Sequence, residues 1–298
     1  MINTLIWILS ATIRISIPVL LAALGGLITQ QVGIINIALE GFALFGAFFT
    51  IAFSLWLMNT WLGVLFGALS SSLLSLLFGL IIIRYQANKI ISAIGINIFA
   101  SGITLFLLKA FFNTTGALFS KKIVSLPKID IPIINKIPIL NPIINNHTPL
   151  VYLAFFMIFI IHFFLFYTPL GLTFRGIGNN SKAAKSAGIN VNKSQYIAIL
   201  FSGALCGLAG AHLATGYVTM FSEGMTAGRG FIAFIAVIFG NAKPISVVLV
   251  CIFFGFAEAL ALRLQLVGLP SQLIMMIPYI LAVIAIAMAS ALPNKNIV

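Results

Sequence analysis

The chain has 298 residues, of which 61% are hydrophobic and only 7% are charged, whereas an ordinary soluble domain is about 25% charged. Its 16 Lys and Arg and 4 Asp and Glu residues cannot supply the polar surface that a soluble fold of this length needs, which excludes a cytosolic enzyme, a secreted domain and a nucleic-acid-binding protein. The formal net charge of +12 is instead typical of a membrane protein that follows the positive-inside rule.

Apolar windows of about 20 residues, the length of a membrane-spanning helix, recur along the whole chain. They predict eight spanning helices, near residues 5–27, 34–56, 61–83, 90–112, 150–167, 196–218, 246–264 and 270–292. The apolar stretch 229–242 is shorter and predicts a broken or re-entrant helix, which a membrane tolerates only where protein or water surrounds it. We therefore expect a single-domain, all-α polytopic membrane protein over residues 1–298, with about 8 to 10 helices.

Alternating passage of the nine segments through the membrane places the loops 84–89, 168–195 and 241–245 on the same side as the C-terminal tail. This side carries a group of basic residues, and the short loops opposite carry almost none. The positive-inside rule therefore predicts that this side is cytoplasmic. The basic residues are Arg84, Lys89, Arg175, Lys182, Lys185, Lys193, Lys243 and Lys295.

Residues 113–149 form a proline-rich segment between two predicted spans. The segment holds five of the chain's 11 prolines, so it cannot be one regular helix. Its four lysines lie on the predicted outer side, which is acceptable because long loops obey the charge rule weakly. We expect an external loop of extended pieces and a short amphipathic helix.

Acidic residues are rare, and Glu40, Glu223 and Glu258 fall within or beside apolar segments. A charge in hydrocarbon is costly unless it is paired or hydrated, so such residues are candidate functional groups. Asn36 and Glu40 are four residues apart, which predicts that they share one helix face pointing into the bundle. Two roles stay open for Glu40, a hydrogen-bonded anchor for a neighbouring helix or a place on the translocation route.

Glu223 and Arg229 lie in a glycine-rich stretch just before the short apolar segment. The glycines allow another backbone to approach closely. Glu223-Gly224 also repeats the acid–glycine pair Glu40-Gly41; such a repeat occurs in transporters built from two related halves, and a chance recurrence is the alternative. The candidates for the translocation path are Asn36, Glu40, Glu223 and Arg229.

The other polar residues in apolar runs are predicted to be isolated structural residues, and Cys206 and Cys251 to be small buried hydrophobes. No spacing of His, Cys or carboxylates resembles a metal site, and no nucleophile is paired with a base. We expect no metal and no catalytic residue. The isolated residues are Arg14, His162, His212, Glu258 and Arg263.

Residues 168–193 form a polar loop in an otherwise apolar chain. Ser181 is a suitable N-cap and Gly188 a suitable C-cap, which predicts a helix of less than two turns between them. The alanines at 183, 184 and 187 would give this helix a smooth face that enters a groove on a partner. The alternative is a solvated basic loop that only fixes topology.

The spacing of Lys182-Ala183-Ala184 and Gly188 resembles the Glu-Ala-Ala to Gly loop that permeases of ATP-binding cassette (ABC) importers insert into their ATPase subunits, with Lys in place of Glu. This spacing is one of several similarities, and the others lie in residues 33–41, 168–188 and 223–240. With them, nearly the whole chain resembles the branched-chain amino acid and ribose permease superfamily. The pair Glu40-Gly41 and the run 223–230 are most similar to the nucleoside permeases that work with basic membrane lipoproteins.

This resemblance implies a non-catalytic, multi-pass permease subunit in a bacterial cytoplasmic membrane. Its implied partners are a second homologous permease, cytoplasmic ATPase subunits, an external lipid-anchored binding protein, a small-molecule substrate and membrane lipid. The chain lacks a Gly-x-x-x-x-Gly-Lys-Ser/Thr phosphate loop, so ATP and Mg would bind to the ATPase, with no cofactor in this chain. The implied ATPase-coupling residues are Arg175, Gly178, Asn179, Ser181, Lys182, Ala183, Ala184, Ala187 and Gly188.

Three other functions stay open at this stage. The substrate of an ABC permease of this superfamily could be a sugar or a branched-chain amino acid. An ion-coupled secondary transporter would use Glu40 or Glu223 as its ion site. A membrane scaffold without transport activity is the third, although it would not need an interrupted glycine-rich segment.

Overall fold

A computed structural model of the chain describes residues 2–120, 125–132, 141–217, 219–265, 276 and 280. Within these residues, seven helices are long and apolar enough to cross a membrane, and one shorter apolar helix covers Arg229–Phe239. The protein is therefore a multi-pass helical membrane protein, as predicted. The predicted span 270–292 lies outside the described residues.

The helices are α1 (Ile2–Gln30), α2 (Leu39–Leu57), α3 (Thr60–Gly79), α4 (Lys89–Phe112), α5 (Asn141–Ile144), α6 (Pro149–Tyr167), α7 (Pro169–Asn179), α8 (Ser181–Ser186), α9 (Val191–Ala211), α10 (Arg229–Phe239) and α11 (Pro244–Leu264). A π-helical turn extends α3 over Leu80–Arg84, and another extends α9 over His212–Tyr217. Two short strands, β1 (Ala117–Phe119) and β2 (Met220–Ser222), pair antiparallel.

Asparagines set the start of several helices. Asn59, Asn88 and Asn180 each accept hydrogen bonds from two backbone N–H groups in the first turn of α3, α4 and α8, and Asn190 accepts one in α9. An asparagine side chain satisfies N–H groups that have no partner within the helix. These boundaries are therefore encoded locally.

Helix α9 lies at the centre of the bundle, in contact with α1, α2 and α3, while α4 packs against α2 and α11 against α1. The contact between α9 and α2 depends on glycine. A Cβ atom on Gly46 would lie 2.5 Å from the Gly207 Cα, and one on Gly210 would lie 2.0 Å from the Ala43 carbonyl oxygen. Small residues at such positions let membrane helices pack closely enough for dispersion forces to hold them.

One end of the bundle, here called the basic end, carries residues 31–33, 84–88, 168–190 and 240–243. Residues 31–33 are hydrogen-bonded to the neighbouring loops and helix ends there. In each bond a side-chain nitrogen donates to a main-chain oxygen. Their bonds run from Gln31 Nε2 to the Ala242 oxygen (2.7 Å), from Lys89 Nζ to the Gly33 oxygen (2.7 Å) and from Gln195 Nε2 to the Val32 oxygen (3.2 Å). The loops that the sequence assigns to one side of the membrane thus meet at one end.

The opposite end is formed by the described parts of the proline-rich segment together with residues 219–228. Strand β1 of that segment pairs with β2, and Ile129 forms an isolated antiparallel bridge with His147. The Asn145 amide also donates to the Asp130 carboxylate at 2.6 Å. Extended pieces and the short helix α5 therefore cover this end of the bundle.

The tight glycine contact generates a test. Gly210→Val should lower the thermal unfolding midpoint in detergent, because its Cβ would meet the Ala43 main chain on α2 and overpacking a tight contact costs about 1–3 kcal/mol. Gly95→Val is the matched control, since Gly95 is also helical and a Cβ there meets nothing within 4 Å. Equal unfolding midpoints for the two variants would contradict the packing of α2 against α9.

Candidate functional site

The short helix α8 begins at a cap formed by Asn180. Its side-chain oxygen accepts hydrogen bonds from the N–H groups of Lys182 (3.1 Å) and Ala183 (3.0 Å). The predicted cap, Ser181, is wrong by one residue, because the asparagine before it already reaches the second and third N–H groups. At the other end Gly188 has a φ of +80°, the left-handed conformation that glycine supplies after a helix C-terminus.

The predicted alanine face of α8 is divided between two sides of the helix. Ala184 is only 7% exposed and belongs to the chain's own hydrophobic core, whereas Ala183 and Ala187 are exposed. A helix at the surface must turn one side toward the bundle, and Ala184 is on that side. The prediction of one partner-facing surface for all three alanines is therefore wrong. The outer surface of α8 consists of Ser181, Lys182, Ala183, Lys185, Ser186 and Ala187.

Helix α7 attaches α8 firmly to the bundle. Phe174 and Ile177 are buried, and the Arg175 guanidinium lies 4.8 Å from the centre of the Phe166 ring, a favourable cation–π distance. Gly178 lies against the main chain of Gln31, where a Cβ would come within 2.5 Å of the carbonyl oxygen. Asn179, by contrast, is exposed. Helix α7, and with it α8, is therefore packed against the end of α1.

Asn36 lies before α2 and not within it, so it does not share a helix face with Glu40 as predicted. Residues 34–37 are non-helical, and Asn36 uses its side chain to satisfy this irregular stretch. It accepts from the Ala38 N–H at 3.0 Å and donates to the Ser202 hydroxyl at 3.1 Å. Irregular backbone of this kind persists inside a membrane only when protein groups satisfy it.

Asn97 on α4 performs a similar task, which the sequence analysis missed. Its side-chain oxygen accepts from the Gly41 N–H at 2.8 Å, and its amide donates to the Ile37 oxygen at 3.1 Å. The sequence did contain a signal for this role. An asparagine in the apolar run 90–112 is expected to have hydrogen-bond partners, because buried amides usually do. Asn97 therefore fixes the first turn of α2.

Glu40, in that first turn, binds the start of another helix. Its two carboxylate oxygens accept from the N–H groups of Gly228 (2.8 Å) and Gly230 (2.6 Å). A Cβ on Gly230 would lie 2.3 Å from the Glu40 nitrogen, so the approach requires glycine. Since α10 begins at Arg229, the carboxylate occupies the positive ends of both α2 and α10.

Arg229 forms an ion pair with Glu258 on α11. Both side chains are partly buried, at 21% and 22% exposure. The prediction that Glu258 is isolated is therefore wrong; it rested on a spacing within one helix, whereas the partner lies 29 positions away along the chain. Glu40 and Glu258 together hold the start of α10, one through its main chain and one through its first side chain.

Glu223 lies apart from this cluster, at the opposite end. Its side chain is exposed, its N–H donates to the Gly116 oxygen at 2.7 Å, and it lines a shallow pocket with Lys109. Of the predicted path residues, the structure thus brings Glu40 and Arg229 together at the start of α10, places Asn36 just before α2 and leaves Glu223 at the surface.

A family model for the branched-chain amino acid transport system permease component matches residues 8–286. The chain belongs to this family. A guanosine ABC transporter permease protein, NupQ of Bacillus subtilis, is 35% identical over 94% of this chain and 90% of its own length. A nucleoside ABC transporter permease protein, NupC of Lactococcus lactis, is 33% identical over 96% of this chain and 93% of its own length. No solved structure gave a significant match.

The Glu40 contacts lead to a prediction for the permease. Glu40→Ala should speed hydrogen exchange at the amides of Gly228 and Gly230 and lower the unfolding midpoint, because each hydrogen bond to a charged group contributes roughly 1.5–3 kcal/mol. Glu40→Gln keeps only one acceptor oxygen, so its exchange rates and its unfolding midpoint should fall between those of the wild type and Glu40→Ala. Glu223→Ala is the matched control. Wild-type exchange at both glycines in Glu40→Ala would show that the carboxylate does not hold α10.

Proposed function

We propose that this permease is the non-catalytic, membrane-spanning subunit of an ATP-driven ABC importer that moves nucleosides across a bacterial cytoplasmic membrane. The observation that carries the proposal is the similarity, over nearly the full length of the chain, to permeases named for guanosine and for nucleosides. The basic end would then face the cytoplasm, in agreement with its excess of Lys and Arg.

The proposed partners are cytoplasmic ATPase subunits, a second homologous permease and an external lipid-anchored binding protein. ATP and Mg would bind to the ATPase, and this chain would hold no cofactor. The exposed residues of α8 are suited to docking because they form a small, capped and basic projection from the basic end. Lys182 and Lys185 would meet acidic residues in the ATPase groove, since opposite charges steer and orient such contacts.

A continuous set of contacts could carry ATPase movement from α8 into the bundle. Helix α7 lies against Gln31 through Gly178, and Gln31 is bonded to Ala242 just after α10. The other end of α10 is bonded to Glu40 and Glu258. Displacement of α8 would therefore shift α10 as a rigid body, which is the kind of motion that alternating access requires.

Reconstitution in proteoliposomes would test this function. The permease, its second permease, the ATPase and the loaded binding protein should together give ATP-dependent guanosine uptake that survives a protonophore. Excess ribose or leucine should not compete. Uptake that collapses with the ion gradient and needs no ATP would favour a secondary transporter. Competition by ribose or leucine would show that the substrate is a sugar or an amino acid and not a nucleoside.

The docking role of α8 has its own prediction. Ala187→Arg should abolish co-purification of the ATPase and uptake, because a long charged side chain would overfill the groove, and Lys182→Glu should weaken both. Ala184→Arg is not a useful test, since Ala184 is buried within the permease itself.

The matched control for docking is Ala117→Arg, an exposed alanine at the opposite end. All variants should reach the membrane and show the wild-type unfolding midpoint. Retention of the ATPase by Ala187→Arg, with normal uptake, would overturn the assignment of α8 as the coupling helix.

A further inference from the structure

Helix α7 folds back on the last turn of α6, where the chain reaches the basic end. Between the two helices, the Thr168 hydroxyl donates to the Phe164 oxygen at 2.6 Å and accepts from the Gly171 N–H at 3.1 Å. A Cβ on Gly171 would lie 2.1 Å from the same Phe164 oxygen. The Phe164 and Phe174 rings meet edge to face, with their centres 5.5 Å apart. This close turn places the next residue, Arg175, beside the end of a membrane-spanning helix.

Arg175 lies on an aromatic ring, and the described residues give its side chain no acceptor. The guanidinium carbon is 4.8 Å from the centre of the Phe166 ring. Among the described residues it forms no ion pair, and its buried Nε has no hydrogen-bond partner. His162 contacts the same ring, with the ring centres 5.0 Å apart, and its Nδ1 also has no partner there. Because Arg175 is partly exposed, a molecule outside the bundle can reach this side chain and use the donors that it retains.

The surface beside Arg175 is apolar and faces outward. Phe163 and Tyr167 on α6 are 61% and 70% exposed, and Leu172 on α7 is 64% exposed. The Phe163 and Tyr167 rings stack with their centres 5.5 Å apart, and Leu172 shares a face of α7 with Arg175, three residues later. Aromatic residues at the end of a spanning helix are typical of the boundary between hydrocarbon and headgroups. The site therefore combines a cation with apolar surface, as a lipid requires.

No acidic residue of the chain is available to neutralise Arg175. Of the four acids, Glu40 and Glu258 hold the start of α10, and Asp130 and Glu223 belong to the opposite end. The basic end thus keeps an excess of positive charge, which attracts anionic lipids of the cytoplasmic leaflet. A zwitterionic headgroup gains less, because it carries a cation of its own.

We propose that Arg175 binds the phosphate of an anionic phospholipid in the cytoplasmic leaflet, with the acyl chains against Phe163 and Tyr167. The choice of leaflet rests on the proposed function, which sets the orientation of the basic end. A guanidinium can donate two parallel hydrogen bonds to a phosphate while it stacks on a ring. Arg175, which the family resemblance implies as an ATPase contact, would instead hold α7 at the membrane surface from which α8 projects.

Native mass spectrometry of the full-length permease, titrated with dioleoylphosphatidylglycerol, tests the inference. Arg175→Gln should raise the Kd of the most tightly bound lipid about fivefold or more, as expected when a cation is lost at an anionic surface. Arg175→Lys keeps the charge but cannot donate two parallel hydrogen bonds, so its Kd should fall between those of the wild type and Arg175→Gln. Dioleoylphosphatidylethanolamine should bind more weakly to the wild type and respond to neither substitution.

The matched control is Arg84→Gln, because Arg84 is exposed at the same end, where the π-helical turn after α3 finishes. It should leave the Kd of phosphatidylglycerol nearly unchanged, and all variants should keep the wild-type unfolding midpoint. Equal losses in Arg84→Gln and Arg175→Gln would indicate general charge attraction without a site and overturn the inference. Equal Kd values of the two lipids for the wild type would overturn it as well.

ATPase binding by the delipidated permease in detergent separates a lipid from a protein partner. Without lipid, Arg175→Gln should bind the ATPase with the wild-type Kd. A loss as large as that of Ala187→Arg would assign Arg175 to the ATPase contact and overturn the inference. A wild-type complex that transports no nucleoside would overturn the proposed function alone, because the lipid titration requires no transport.

Discussion

The carboxylate of Glu40 joins two places where helical structure is interrupted inside the bundle. Helix α2 starts only at Leu39, after a non-helical stretch, and α10 starts at Arg229. Each start leaves N–H groups without partners in the helix, and those groups cannot be solvated by lipid. Glu40 accepts from two of them and belongs to the first turn of the other helix. The interrupted architecture depends on this one side chain, and the Arg229–Glu258 ion pair adds a second restraint on α10.

The basic end depends on a different kind of interaction. Three main-chain or amide groups of residues 31–33 bind the first turns of α4 and α9 and the loop before α11. Because Gly178 lies against the same residues, the projection formed by α7 and α8 has little freedom of its own. In contrast, the centre of the bundle is held by close glycine contacts of α9. The fold thus combines a central helix that is held by glycine contacts with a short helix, α10, that packs its buried face against α1 and is hydrogen-bonded at both ends.

Much of this fold could be predicted from the sequence, because long apolar runs report spanning helices directly. The seven spans within the described residues agree with the predicted ranges to within a few positions, and the short segment before α11 is indeed too short to cross. The caps Asn59 and Asn88, which the sequence analysis did not name, lie next to the helices that they start, so the sequence carries this signal locally.

The errors occurred where a residue's partner is distant along the chain. The spacing of Asn36 and Glu40 suggested one helix face, but contacts with Asn97 and Ser202 start the helix later. Glu258 seemed solitary because its partner Arg229 is on another helix, and the inward turn of Ala184 depends on how α7 packs. Periodicity in one segment carries no information about such tertiary contacts, which decide helix starts, ion pairs and exposed faces in this permease.

The shortness of α10 affects the permeability barrier of the membrane. With 11 residues and a rise of about 1.5 Å per residue, α10 covers roughly 16 Å, about half of a hydrocarbon core that is about 30 Å thick. Residues 219–228, which precede α10, include turns and glycines and not an apolar helix. Helix α10 alone therefore cannot seal the membrane, and the helices that it contacts, α1, α2 and α11, must supply the rest of the apolar barrier at this place.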